Sequence, residues 1–137
     1  MSKYISVVYG NFKNIDLNNI LEGIEERALL SKKLGKIVYT LLSDEELLEI
    51  NKTHLNHDYY TDIITFDYST PRKLEGEVFV SMDRVKENSD DFLLELTRVM
   101  CHGVLHMLGY KDKSESEILE MRNMENEWIN HIVSRES

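Results

Sequence analysis

His102-Gly103-Val104-Leu105-His106-Met107-Leu108-Gly109-Tyr110-Lys111-Asp112 is the stretch that decides how this chain is read. His102 and His106 stand four residues apart, which on a helix places them on one face, ~40° apart around the axis. Their imidazoles can meet at one ion. Gly109 permits a turn that no β-carbon opposes and can end the helix. That turn can return Asp112 as a third ligand, the alternative being a solvated loop residue before the next helix. Two nitrogens, one carboxylate oxygen and one open position describe a catalytic site of the Zn²⁺ type rather than a structural one. A His pair at this spacing is weak by itself; the Gly and the acid in register with it make the metal reading the stronger one. Cys101 points to another side of the helix and reads as a small buried residue.

The spacing is close to the long zinc-peptidase signature H-E-x-x-H-x-x-G-x-x-H. Gly103 stands where that signature has Glu, and Asp112 stands where it has the third His. Without the carboxylate beside the first His, the peptidase mechanism has no general base. The site is therefore expected to carry out a different metal-assisted hydrolysis.

The remaining composition narrows the class. A chain of 137 residues, 42% hydrophobic and 30% charged, suits one globular domain spanning 1–137. One Cys rules out an internal disulfide framework and suits a reducing cytosol. The N-terminus lacks the apolar stretch of a signal peptide, and no apolar run approaches the ~20 residues of a membrane span, so a cytoplasmic location is expected, with no membrane partner. A net charge of −9 argues against broad nucleic-acid binding, which needs many phosphate contacts, and no DNA partner is expected. Three small basic clusters (Lys32, Lys33 and Lys36; Arg72 and Lys73; Lys111 and Lys113) read as solvated surface.

Hydrophobic periodicity orders the rest. Residues 4–9, 36–42, 63–66 and 77–81 read as strands. Asp16 opens a helix to about Leu30 with Leu17, Ile20, Leu21, Ile24 and Leu29 as its stripe. Ser43 with Glu46, and Ser114 with Glu117, are capping boxes opening two further helices. Residues 82–88 read as a short helix. The histidine-bearing helix starts near Asp90 or Asp91 and runs to Leu108, with Leu93, Leu96, Met100, Val104 and Met107 inward. Glu95 shares the face of His102 and His106, and Arg98 lies at its border. Glu95 reads as a solvated side chain, with a role behind a histidine as the alternative. On the last helix Ile118, Leu119, Met121, Met124, Trp128 and Ile132 read as core. His54, His57 and His131 have no ligand spacing and read as surface or packing residues. The pattern β-α-β-α-β-β-α-α-α predicts an α+β chain: a small mixed β-sheet covered by helices, one of them a zincin-like metal-binding helix.

From about Ser43 onward the chain resembles the YbeY-type metal-dependent endoribonucleases, bacterial rRNA maturation factors. Thr61-Asp-Ile-Ile-Thr-Phe66 resembles the family's T-D-V-L-S-F, Gly76-Glu-Val-Phe-Val-Ser81 its G-D-I-x-I-S, and His102-Gly-Val-Leu-His-Met-Leu-Gly-Tyr110 its H-G-x-L-H-L-x-G-Y. The third block is the most specific, because it contains the Gly that removes the peptidase base. Two departures stand out. The family continues D-H after the Tyr, with the His as third zinc ligand, whereas Asp112 occupies that place here. Its harder oxygen shifts metal preference toward other divalent ions. The family's upstream L-N-x-x-Y-R ends in an Arg thought to act on RNA, and Leu55 holds that place. Arg98 and Lys111 are the candidate phosphate contacts in its stead.

The resemblance implies a single-strand-specific endoribonuclease that uses one Zn²⁺ per chain, held by His102, His106 and Asp112. It implies action on rRNA, notably the 3′ end of 16S rRNA, in ribosome quality control and in association with the ribosome or its proteins. The alternatives are a non-catalytic ribosome-assembly factor and a zinc metallopeptidase, and Gly103 speaks against the latter.

Overall fold

The computed structural model describes residues 2–12 and 15–136. Met1 and Ser137, the ends of the expected 1–137 unit, lie outside the described residues, as do Lys13 and Asn14. Strand β2 (Lys33–Leu42) lies inside the sheet, and its alternation buries Ile37, Tyr39 and Leu41 on one face. β1 (Ile5–Val8) pairs parallel to it, Ile5 opposite Ile37. On its other side β4 (Lys73–Ser81) is also parallel, Tyr39 opposite Val78. β3 (Ile63–Asp67) is the antiparallel edge strand, giving the order β1-β2-β4-β3. This is the expected small mixed sheet. β2 and β4 begin earlier than their sequence patterns indicate. Lys33 and Leu34 pair with Lys73 and Leu74, and an irregularity before Ile37 breaks the alternation that would have revealed it. Pro71 sits in the tight turn joining β3 to β4, where Thr70 and Lys73 exchange backbone hydrogen bonds of 2.9 and 3.3 Å.

Among the described residues five helices cover the sheet: α1 (Asn18–Leu29), α2 (Asp44–Leu55), α3 (Met82–Asn88), α4 (Phe92–Met107) and α5 (Glu115–Ser134). α1 and α4 pack on the Tyr39 and Val78 face, and α5 packs against both of them. α2 lies over the other face, where His54 meets the edge of Phe66 and Phe66 meets Phe79. Both capping boxes form as read, at Ser43 and Ser114. Asp16 acts from outside α1, its carboxylate accepting from Asn18 N at 3.0 Å while Leu17 is the N-cap.

Four residues expected in the core are not buried: Leu29, Leu93, Ile118 and Leu119 are 45%, 45%, 50% and 62% exposed. Each lies near a helix end, beyond the neighbours that cover the middle. Ala28 takes the inward place at the end of α1.

Two contacts fix α4 on the sheet. The buried Tyr39 hydroxyl donates to Met100 O at 2.7 Å, and burial raises its pKa well above the ordinary value, keeping it a neutral donor. Gly103 is the point of closest approach: a β-carbon there would lie 2.9 Å from Val78 Cγ1 and 3.2 Å from Ile63 Cδ1. A side chain at 103 therefore has to push Val78 and Ile63 aside. The loss of the peptidase base and the seating of the helix are one feature.

Candidate metal centre

The helix that carries the histidines is started by Asp91, whose carboxylate accepts from Leu94 N at 3.1 Å. It ends in a Schellman turn. Gly109 takes φ +105°, its N–H donates to His106 O at 3.0 Å, and Tyr110 N–H donates to Leu105 O at 3.1 Å. The turn folds the chain back so that Asp112 Oδ2 lies 3.2 Å from His102 Nε2 and 3.3 Å from His106 Nε2. The two imidazoles stand edge to face, 4.4 Å between centroids. These three residues are the ones brought together with metal-ligand spacing among the described residues.

The opposite ring nitrogens decide the tautomers. His106 Nδ1 lies 3.0 Å from Tyr110 O, and a carbonyl can only accept, so this nitrogen carries the proton. His102 Nδ1 lies 2.6 Å from Glu125 Oε2 and donates to it likewise. Both neutral rings then direct an Nε2 lone pair at the Asp112 oxygen. Lone pairs and a carboxylate repel unless positive charge lies among them. Burial opposes a charge on His102, but the Glu125 hydrogen bond and the nearby Asp112 and Asp62 carboxylates outweigh it and raise its pKa. A divalent cation meets the same demand, with the Nδ1 partners fixing the tautomer that leaves each Nε2 lone pair facing it. The donor set thus fits a metal ion.

Glu125, on α5 and 4% exposed, is the residue that the sequence reading missed. Its signal was an acid at a core position, in line with Met121, Trp128 and Ile132. Burial works against its charge, but hydrogen bonds from His102 and Arg98 hold its carboxyl below the usual range. Arg98 donates to Glu125 at 3.0 Å and to Asn126 at 2.8 Å, which ties its guanidinium to α5 behind His102. Glu95 does not back a histidine through any hydrogen bond; it is half-buried beside a smaller cavity with Arg98, Arg122 and Asp62, and burial raises its pKa.

In front of the ligand atoms lies an open cavity of about 640 Å³. Leu55, His57, Tyr59, Asp62, Asp67 and Lys113 contribute to its wall. Lys111 is exposed on the strap before Asp112 and is not part of that wall. Cys101 is fully buried and its thiol pKa is pushed far up by burial, as expected of a packing residue. His131 pairs with Glu26 at 2.8 Å, away from the cavity. Among the described residues no helix is long and apolar enough to cross a membrane.

Fold and site together define an α+β protein with a zincin-like helix, the fold class expected from the sequence. The family model for Endoribonuclease YbeY matches residues 8–133, and the chain belongs to that family. It is 50% identical over 101 residues to the Endoribonuclease YbeY of Flavobacterium psychrophilum, covering 71% of this chain and 72% of the relative. With that of Bacteroides thetaiotaomicron it shares 46% over 103 residues, covering 72% of this chain and 75% of the relative. A solution structure of a Thermotoga maritima protein superimposes with a TM-score of 0.69 at 25% identity, over 96% of this chain and 90% of the other.

Proposed function

We propose that this chain is a metal-dependent endoribonuclease that hydrolyses phosphodiester bonds in single-stranded rRNA, acting on the 3′ end of 16S rRNA at the ribosome, in the cytoplasm. The observation that carries the reading is the convergence of His102 Nε2, His106 Nε2 and Asp112 Oδ2 beside an open cavity, in a member of the Endoribonuclease YbeY family. His102, His106 and Asp112 are the proposed ligands of one Zn²⁺ per chain. An ion held there supplies Lewis-acid chemistry, acidifying water and polarising a phosphoryl oxygen.

The chain's own residues do the rest. Glu125 and Tyr110 O hold the two rings in the tautomer that offers Nε2, and Arg98 holds Glu125. With its guanidinium so engaged, Arg98 acts in this proposal by position, and phosphate contact falls to Lys111 and Lys113. Asp62 lines both the main cavity and the smaller one, and it faces His102 electrostatically. Its carboxylate is the proposed proton acceptor in place of the Glu whose position Gly103 takes. One continuous core joining the sheet to α1, α4 and α5 supports reading 1–137 as a single unit.

The test offers purified, metal-loaded protein both single-stranded rRNA and casein. Cleavage of RNA alone is the expected result. Cleavage of casein, or RNA binding without cleavage, contradicts the proposal.

A further inference from the structure

The wall of the main cavity holds an aromatic pair that the hydrolytic chemistry does not use. Tyr59 is 54% exposed, and its ring stacks on that of His57 with centroids 5.1 Å apart and planes 20° from parallel. The Tyr59 hydroxyl and His57 Nδ1 are hydrogen-bonded at 2.9 Å. Both residues line the same cavity as His102, His106 and Asp112.

The loop that carries the pair is anchored from beneath. Asn51 is 2% exposed; its Nδ2 donates to Tyr59 O at 2.8 Å and its own carbonyl accepts from His57 N at 3.0 Å. Between them Asn56 turns the chain with φ +55°. These two hydrogen bonds hold the backbone of the loop in place before any ligand arrives, which lowers the ordering cost of binding. The neighbouring Tyr60 is occupied otherwise, its hydroxyl donating to Glu45 at 2.9 Å and its ring lying 5.1 Å from the Arg84 guanidinium.

The charge of the cavity tells what such a platform can hold. Asp62, Asp67 and Asp112 line it, and Lys113 is the one Lys or Arg among the described lining residues. The lining side chains supply little phosphate attraction there, so contacts to the bases have the most to add. Every nucleobase has a flat face that stacks on an aromatic ring, and in a duplex that face is already covered. We propose that Tyr59, backed by His57, is a stacking platform for one unpaired nucleobase of an RNA strand whose backbone passes the candidate metal centre. The inference rests on the proposed reading of the site as one that acts on RNA.

The experiment is binding of a short single-stranded oligoribonucleotide containing 2-aminopurine to the metal-loaded protein, read by anisotropy and by quenching of the base. Tyr59→Ala is expected to weaken binding about tenfold or more and to abolish the quench, in line with the loss of one stacked base. Tyr59→Phe keeps the ring and is expected to keep both signals, which separates the platform from a disturbed loop. Tyr60→Ala is expected to bind as the unaltered protein does. Unaltered affinity and quench in Tyr59→Ala, or no quench in the unaltered protein, overturns the platform. So do equal losses in Tyr59→Ala and Tyr60→Ala. RNA cleavage is scored separately: a protein that quenches but never cuts retains the platform and loses the proposed activity, whereas one that cuts without a Tyr59 effect does the reverse.

Discussion

Glu125 governs how firmly His102 is held. It is nearly buried, accepts from both His102 and Arg98, and fixes the ring tautomer that leaves Nε2 free. Glu125→Gln keeps the shape and removes the charge, and is expected to weaken ion affinity about 10–100-fold. Competition with a chromogenic chelator measures this, and an undiminished affinity would remove Glu125 from the account. Asp62→Asn tests the proposed proton acceptor: the turnover number should fall on the order of 10²-fold or more with ion content unchanged. A normal turnover number in Asp62→Asn transfers the role elsewhere. At this scale the three proposed ligands were legible because their geometry is local, set by helix periodicity and one turn. Glu125 was not, since its meeting with His102 spans 23 positions and depends on how α5 packs on α4. The role of Asp62 was hidden for the same reason: it directly precedes β3, which only the sheet brings to the cavity.

Two glycines turn α4 into a site, and each does so differently. At Gly109 space is plentiful, with nothing within 4 Å of the place a β-carbon would take, but φ is +105°. A β-branched residue is strained there whatever the room, so Gly109→Val is expected to cost on the order of 1–3 kcal/mol and to lower ion content, because Tyr110 O and Asp112 ride on that turn. Thermal unfolding together with metal analysis checks both effects, and an unchanged midpoint with full metal would show the turn to be a mere spacer. At Gly103 the backbone angle is ordinary and space is short. Gly103→Ala must push against Val78 and Ile63, at a cost of about 1–3 kcal/mol. The sequence motif already signalled a turn at Gly109. The packing reason for Gly103 needed the sheet, because it rests on side chains from β3 and β4. The capping boxes of α2 and α5 were readable for the converse reason, since each is complete within four consecutive residues. The apolar stripes were readable in the middle of each helix and misleading at the ends, where Leu29, Leu93, Ile118 and Leu119 outrun their cover.

For the molecule as a whole, a net charge of −9 sets how RNA can be approached. Repulsion at physiological salt reaches only ~8 Å, and in the cavity Lys113 is the one Lys or Arg among the described lining residues. Affinity for bare single-stranded RNA should therefore fall gently with salt, with a slope of roughly −0.7 per phosphate contact. A steep slope that persists after metal removal would reveal a basic surface that this picture lacks. The mixed sheet and its helical cover were legible from the order of elements, but the strand order was not: β2 and β4 pair across the intervening α2 and β3, a long-range choice that no local pattern records. The central claim is that the cluster of His102, His106 and Asp112 holds the ion that RNA cleavage requires. It is tested most directly by measuring ion stoichiometry and cleavage of single-stranded rRNA side by side in the unaltered protein, Asp112→Ala and Asp112→His. The account predicts that Asp112→Ala loses ion and cleavage together while Asp112→His retains bound Zn²⁺. An Asp112→Ala protein that still binds a full equivalent of ion and cuts RNA at the unaltered rate would contradict it.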